Sequence, residues 1–388
     1  MESLTGAAKS GRVCDPSEPT KLDTRSAFED EDDGWADYLY WQAQDKKTLK
    51  RVNTLLQDIE RNGPHGIGNP ELLRGLPGYW SRRINEKDRL IYKIMDQQVD
   101  LLFRRGMTGD RCLMKERLAT VNYYRLSGYW YPFRNPDDTF KEGTTFDKVW
   151  RRYAFDRRLR LLVMDAIERF EVAIRTQFAH HHAIHHGPFA YANDPKSRPK
   201  MERKDFADLY AKVLEELSRS KEPFVKHFYS KYGDSHDAPP IWEAVEVMSF
   251  GNIVTLYKNT THKVKQDVAN VFDVPDTILE SWLQTLNTIR NICAHHGRLW
   301  NRELGYKPFI PHAASYPQWH DPVKVPNDRI FGILTICKHC LNRIAPQSKW
   351  PDDLNKLLAD YPDIPRLNMG IPANWSESPI WKGSAHGG

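Results

Sequence analysis

Apolar residues recur every three or four positions over much of this chain. The first such run is "DGWADYLYWQAQDKKTLKRVNTLLQDIERNG", where Trp35, Tyr38, Trp41, Leu49, Val52, Leu55, Leu56 and Ile59 fall at helical spacing. Asn62-Gly63 supplies a stop and Pro64 stands just beyond it, so a helix ending there is predicted. "YWSRRINEKDRLIYKIMDQQVDLLFRR" has another rhythm. It alternates around turn residues at Asn85-Glu86-Lys87-Asp88 and at Asp96-Gln97-Gln98, which predicts a strand meander. Residues 25–107 therefore read as a small α+β unit. Helical periodicity then returns in longer stretches. Residues 146–186 place Val149, Tyr153, Leu159, Leu162, Ile167, Phe170, Ile174 and Phe178 along one face for much of their length, and residues 238–259, 276–296 and 328–344 repeat the pattern. The region 112–345 is thus predicted to be mainly α-helical. Residues 1–24 are small, polar and without periodicity, which predicts disorder. Residues 346–388 read as a C-terminal helix followed, from 361, by a polar, Pro-rich tail. The fold class expected is multi-domain: a small α+β unit, then a mainly α-helical domain.

Composition narrows the picture only slightly. At 388 residues the chain exceeds the usual size of one hydrophobic core, in keeping with two domains, and 40% hydrophobic residues suffice to fill them. A net charge of +5 is too small to argue for an anionic partner by itself, so that case rests on local clusters. The five cysteines, Cys14, Cys112, Cys293, Cys337 and Cys340, are odd in number and lack disulfide-type spacing, which predicts a reducing cytoplasm. No stretch is apolar for long enough to span a bilayer, and the N-terminus has no apolar signal region, so a soluble, unexported protein without membrane association is expected.

The densest chemistry lies in "TIRNICAHHGRLWNREL", residues 288–304, with Arg290, Asn291, His295, His296, Arg298 and Arg302. On a regular helix Arg290 and His295 stand about 140° apart, so they converge only if the helix bends or ends near the histidine, or if a second helix supplies the partner. The bare Arg-x4-His spacing is not specific, since a second copy stands at Arg175 and His180, where a structural or solvated role is favoured over the rim of an active site. Elsewhere "AHHHAIHHG" sets His181 with His185 and His182 with His186 at i,i+4, a spacing able to chelate zinc. No third ligand can be named, so no metal is expected. Cys337, His339 and Cys340 in "CKHC" lack a second cysteine pair and read as buried helix thiols. Walker-type phosphate loops are absent, and no cofactor is expected. The stretch Tyr123, Tyr124, Arg125, Tyr129, Trp130 and Arg134 reads either as a base-stacking surface or as an aromatic core corner.

Residues 35–94 closely resemble the YoeB-type toxins of the RelE superfamily, in the order "GIGNPELL", "GYWSRRI", "RLIY". The resemblance implies a ribonuclease fold that cuts messenger RNA within the ribosome. By position, Glu71 then matches the general base, and Arg83 and Arg89 match the residues holding the scissile phosphate. Such chains end in a strand bearing a His-Tyr pair, whereas this one reads "LLFRRGMTGD" there. The resemblance therefore implies a degenerate site, one that binds RNA or ribosome weakly or serves as an interaction module. Arg82 and Arg83, adjacent on a strand, have a plainer reading as solvated charges.

"KERLATVNYYRLSGYWYPFR", "AFDRRLRLLVMDAIERFEVAIRTQFAHH", "IWEAVEVMSFGNIVTLYKN" and "RNICAHHGRLWNREL" resemble, in that order, segments of Abi-like abortive-infection proteins, which are similar to the α-helical HEPN ribonucleases. This implies a HEPN-like domain over residues 112–345 that acts as a metal-independent endoribonuclease in phage defence or toxin-antitoxin growth arrest. Arg290, Asn291 and His295 would then be catalytic. His296, Arg298, Arg302, Arg175 and His180 would support them or bind RNA. Partners implied are RNA, a second copy of the chain in a two-fold dimer, and a small noncoding RNA or an antitoxin. The alternative is an RNA-binding or antitoxin-docking module that does not cleave.

Overall fold

The structure, a computed structural model, describes residues 46–62, 65–73, 79–86, 88–93 and 97–382. The expected disordered segment 1–24, the aromatic positions Trp35, Tyr38 and Trp41, the stop at Gly63-Pro64 and the turn positions Lys87 and Asp96 lie outside these residues. The chain divides into two units, residues 1–150 and 151–388.

In the first unit, helix α1 (Lys46–Asn62) buries Val52, Leu55 and Ile59, the i, i+3, i+7 stripe that its sequence sets out. A three-stranded antiparallel sheet follows in the order β1 (Glu71–Leu72), β2 (Tyr79–Arg83), β3 (Arg89–Lys93). The meander prediction holds for β2 and β3 and fails after them. Residues Gln97–Arg104 form helix α2, not a further strand. Val99, Leu101 and Phe103 alternate as a strand would, but the deeply buried positions are Val99 and Leu102, three apart, as on a helix. Helices α3 (Arg111–Val121) and α4 (Tyr123–Trp130) meet at Asn122, whose left-handed φ of 66° ends the first while its side chain accepts the N–H of Tyr124 at 2.9 Å to open the second. Leu126, Tyr129 and Trp130 are buried, and Tyr123 packs edge-on to Trp130 at 4.8 Å. Of the six residues of this stretch Tyr129 and Trp130 are core, whereas Tyr124 and Arg125 stand exposed, so neither reading covers it whole.

Helix α5 (Phe146–His186) matches the predicted span and crosses from the first unit into the second. In the second unit it buries Phe155, Leu159, Val163, Ile167, Phe170, Ile174 and Phe178. After a short turn, α6 (Ala190–Asn193), come α7 (Arg203–Arg219) and α8 (Pro223–Tyr232). The single helix expected over 238–259 is two, α9 (Ile241–Val247) and α10 (Phe250–Asn259). The break sits at Ser249, which caps α10 and donates its N–H to Glu216 of α7 at 3.0 Å, a tertiary bond that competes with helix continuation. Helix α10 and α11 (His262–Val271) pack against α12 (Asp276–Ala294). Helix α13 (Ile330–Ile344) is buried at every position from Ile330 to Leu341, which makes it the spine of the core. The segment read as a polar tail is instead packed: beyond α14 (Trp350–Asp360), Ile364, Met369, Ile371 and Ile380 are buried. Trp381 stacks on Phe331 and donates to Thr335 at 3.1 Å. Scattered apolar residues among prolines do this without any helical period.

Candidate functional site

Two places hold the residues singled out above. On the sheet, the pairings Glu71 with Ser81 and Arg83 with Arg89 put all four side chains on one face, because alternate strand residues share a face. Arg89 Nη1 donates to Glu71 Oε2 at 2.7 Å and to Ser81 Oγ at 3.1 Å, while Asn69 Nδ2 donates to Glu71 Oε1 at 3.2 Å. Arg83 lines a groove of about 330 Å³ with Arg51, Gly68 and Asn69. Arg82 points the other way. It is fully buried and donates to the Asp58 carboxylate of α1 and to the carbonyls of Ile67 at 2.9 Å and His65 at 2.7 Å. The solvated-charge reading is therefore wrong for Arg82, which ties the 65–67 segment to sheet and helix. Where a His-Tyr strand would follow, α2 stands instead.

The second place is the end of α12. The helix stops at Ala294, His295 is the C-cap, and His296 adopts a left-handed φ of 57°. Gly297 N–H donates to Ile292 O at 2.8 Å and His296 N–H to Cys293 O at 3.0 Å, the paired bonds of a Schellman terminus with histidine where glycine is usual. His295 N–H still donates to Asn291 O at 3.0 Å, so His295 keeps the helical phase about 140° from Arg290, and the chain leaves the helix only at His296. Arg290 is half-buried, and Asn291, His295 and His296 are exposed. Among the described residues no hydrogen bond or ion pair occupies the side chains of Arg290, Asn291 or His295. Arg302 folds back, Nε donating to Arg298 O at 2.9 Å, and a Cβ placed on Gly297 would lie 3.9 Å from its Nη2. Arg298 and Arg302 thus flank the turn carrying the two histidines. Burial pushes the neighbouring Cys293 thiol up to about 12, so it stays protonated and takes no part as a nucleophile.

This turn is anchored by residues that motif reading did not single out. Asp156 and Arg160 of α5 are four apart and buried, forming a pair at 2.5 Å. Asp156 Oδ1 accepts the N–H of Leu299 at 3.1 Å and of Trp300 at 2.7 Å, and Arg160 Nη1 reaches Gly297 O at 3.3 Å. The available signal was an Asp and an Arg beside the apolar stripe of Phe155, Leu159 and Val163. Arg152 lies 5.5 Å from the Trp300 ring centre.

Arg175 and His180 lie elsewhere on α5. Arg175 is nearly buried, pairs with Glu171, and donates to the carbonyls of Val245 and, at 2.8 Å, Met248, which satisfies the end of α9. His180 lines a shallow groove of about 510 Å³ with Ile184 and Trp242. Of the histidine run, His185 meets Asp267 at 2.7 Å, His186 meets Thr261 at 2.9 Å, and His182 is buried. No group of three metal-ligating side chains forms among the described residues. Cys337 and Cys340 are buried free thiols, and His339 is bonded to Phe272 O at 2.8 Å. No described helix is long and apolar enough to cross a membrane.

Comparison with known proteins finds two families, and the second match spans the boundary between the two units. Residues 30–106 match the YoeB-like toxin family of bacterial type II toxin-antitoxin systems, and residues 116–301 match the family described as Abi-like protein. Toxin YoeB of Streptomyces coelicolor is 51% identical over 67 residues, which are 17% of this chain and 80% of that one. The chain belongs to the YoeB toxin family through its N-terminal segment. Toxin RelK of Mycobacterium tuberculosis is 48% identical over 71 residues, which are 18% of this chain and 84% of that toxin. Among solved structures, the heterotetrameric YoeB-YefM toxin-antitoxin complex from Staphylococcus aureus is 48% identical, covering 17% of this chain and 79% of that chain, with a TM-score of 0.17. Fused behind the YoeB-like segment is the mainly helical Abi-like region.

Proposed function

We propose that this protein is a metal-independent endoribonuclease of the HEPN type, acting in phage defence or toxin-antitoxin growth arrest, with its centre at Arg290, Asn291 and His295. The observation that carries this reading is the end of α12, where Arg290, Asn291 and His295 have no hydrogen bond or ion pair on their side chains among the described residues and Asn291 and His295 are exposed. Since Arg290 and His295 stay about 140° apart on the helix, a second copy of the chain would supply the facing group. Histidine exchanges protons near neutral pH. His295 would take the 2′-hydroxyl proton or return one to the leaving 5′-oxygen, Arg290 would neutralise charge growing on phosphorus, and Asn291 would orient the arginine or the phosphate. His296, Arg298 and Arg302 would contact the flanking backbone. Products would carry a 2′,3′-cyclic phosphate and a 5′-hydroxyl. A two-fold dimer through α12 would set two such centres facing a shared groove.

The YoeB-like unit, in this reading, recruits rather than cuts. Its Glu71, Ser81, Arg83 and Arg89 share a sheet face suited to RNA backbone, but a helix replaces the strand that would carry the leaving-group acid. The YoeB-YefM complex of the Staphylococcus aureus relative supports an antitoxin-type partner for this segment. The deciding experiment is cleavage of labelled RNA by the wild type, Arg290→Ala and His295→Ala, with and without EDTA. Activity that needs added divalent metal, or that survives in the His295 variant, refutes the assignment.

A further inference from the structure

We infer that Asp156 is the positioning residue for the turn bearing His295 and His296, acting through Arg160 and the backbone of residues 297–300. This rests on the ribonuclease reading above for the turn's catalytic role. The turn itself is a poor candidate to hold one geometry alone. His295 and His296 are exposed, and His296 sits in a left-handed conformation that side-chain-bearing residues avoid unless their surroundings fix it.

The fixing comes from below. Asp156 has no exposed surface, and both its oxygens are used: Oδ1 by the N–H groups of Leu299 and Trp300, Oδ2 by Arg160 and, at 3.3 Å, by Leu299 N–H again. Arg160 carries the same grip back to Gly297 O, directly after the two histidines. Carboxylate and guanidinium together thus hold the backbone at three of the four residues that follow His296. Trp300, buried with its ring near Arg152, pins the far side. A buried ion pair is a weak way to stabilise a fold, because desolvation offsets most of the attraction. What this pair does well is fix direction, since two N–H donors and one carbonyl are met from a rigid helix 143 residues away.

The test uses Asp156→Asn with Arg160→Met, and Asp156→Ala with Arg160→Met, so that no variant leaves a lone buried charge. Each is assayed in the full chain for kcat and KM on a labelled single-stranded RNA, and for amide hydrogen exchange over residues 295–302. Asparagine keeps one acceptor oxygen and alanine none. A graded loss is expected: kcat lower by about tenfold and by about a hundredfold respectively, with KM within about threefold, because a misplaced catalytic group slows chemistry without weakening binding. Exchange at Leu299 and Trp300 should accelerate by at least about tenfold in both, while the α13 amides stay protected. Unchanged kcat, or unchanged exchange at those two amides, overturns the proposal. So does an equal loss in RNA binding and in α13 protection, which would mean a general structural role. Should the double variants not fold, Arg160→Lys, which keeps the charge beside Asp156 and loses the reach to Gly297, is judged by kcat and by exchange at residues 296–298, and no change in either overturns the proposal. If the wild type does not cut RNA, the ribonuclease reading fails, and the exchange result alone decides whether Asp156 holds the turn.

Discussion

Arg89 lies 2.7 Å from Glu71 across the sheet of the N-terminal unit and also touches Ser81, so the acid matching a YoeB general base is already engaged by the arginine that would share its phosphate. On the reading proposed above, Glu71 and Arg89 would be base and anion clamp, while helix α2 stands where the strand of the leaving-group side would follow. Glu71→Ala is therefore expected to lower RNA cleavage and toxicity by less than about tenfold, where a working acid-base group supplies 10²–10⁴. Growth curves and cleavage assays of Glu71→Ala beside Arg290→Ala check this. Loss of activity in the first with retention in the second would move the active centre to the N-terminal unit.

Arg290→Ala and His295→Ala should each slow cleavage by on the order of 10² or more, since one removes charge stabilisation and the other proton transfer. Wild-type activity should survive EDTA. Because His295 is exposed, its alanine variant should melt at the wild-type temperature. A large drop in melting temperature would show that the histidine holds the fold and that any lost activity is secondary.

His296 occupies the left-handed position of a Schellman terminus. His296→Gly should stabilise the second unit by about 1 kcal/mol, by removing the Cβ strain of that conformation. Calorimetry would register a melting temperature higher by a few degrees. A lower value would mean that the imidazole makes a contact worth more than the strain.

His182 is buried, and that burial, with lesser contributions from His186 and Arg198, lowers its pKa to about 4 from an ordinary 6.5. The folded state therefore binds fewer protons than the unfolded state between these values, so stability falls as pH drops from 6.5 towards 4 and levels off below. The total is about 3 kcal/mol by linkage. His339, also lowered by burial, acts in the same direction. Urea titrations of His182→Leu should show a distinctly shallower decline over that window, and a slope equal to wild type would refute the assignment.

Arg82→Ala should leave Asp58 and the carbonyls of His65 and Ile67 without their buried donor. A loss of about 3 kcal/mol in the first unit is expected. Limited proteolysis would show early cutting in residues 65–73, and undiminished resistance there would contradict the bracing role.

The periodic parts of the chain were legible: α5 was readable to its last residue, and α12 and α13 to within two, because large apolar residues repeat on one face. Three things were not. Helix α2 alternates at Val99, Leu101 and Phe103, so its strand-like pattern masked the spacing that burial follows. The break at Ser249 has a local sign, since serine is a preferred N-cap, but the bond from its N–H to Glu216, 33 residues earlier, has none. At the site, Arg290 and His295 stood out by type and spacing. Asp156 did not, since its partners are backbone N–H groups, which leave no trace in side-chain identity.

That last relationship has a direction in time. During synthesis Asp156 emerges 143 residues before Leu299, the first of the backbone donors that it will satisfy. Its helix can form from local bonds alone, but the carboxylate must stay hydrated until the later segment arrives, and closing so long a loop is slow. A chain interrupted before residue 299 keeps that face of the helix open and never orders the histidine turn. On the ribonuclease reading proposed above, a chain assembled this way is inert until its last third has been made.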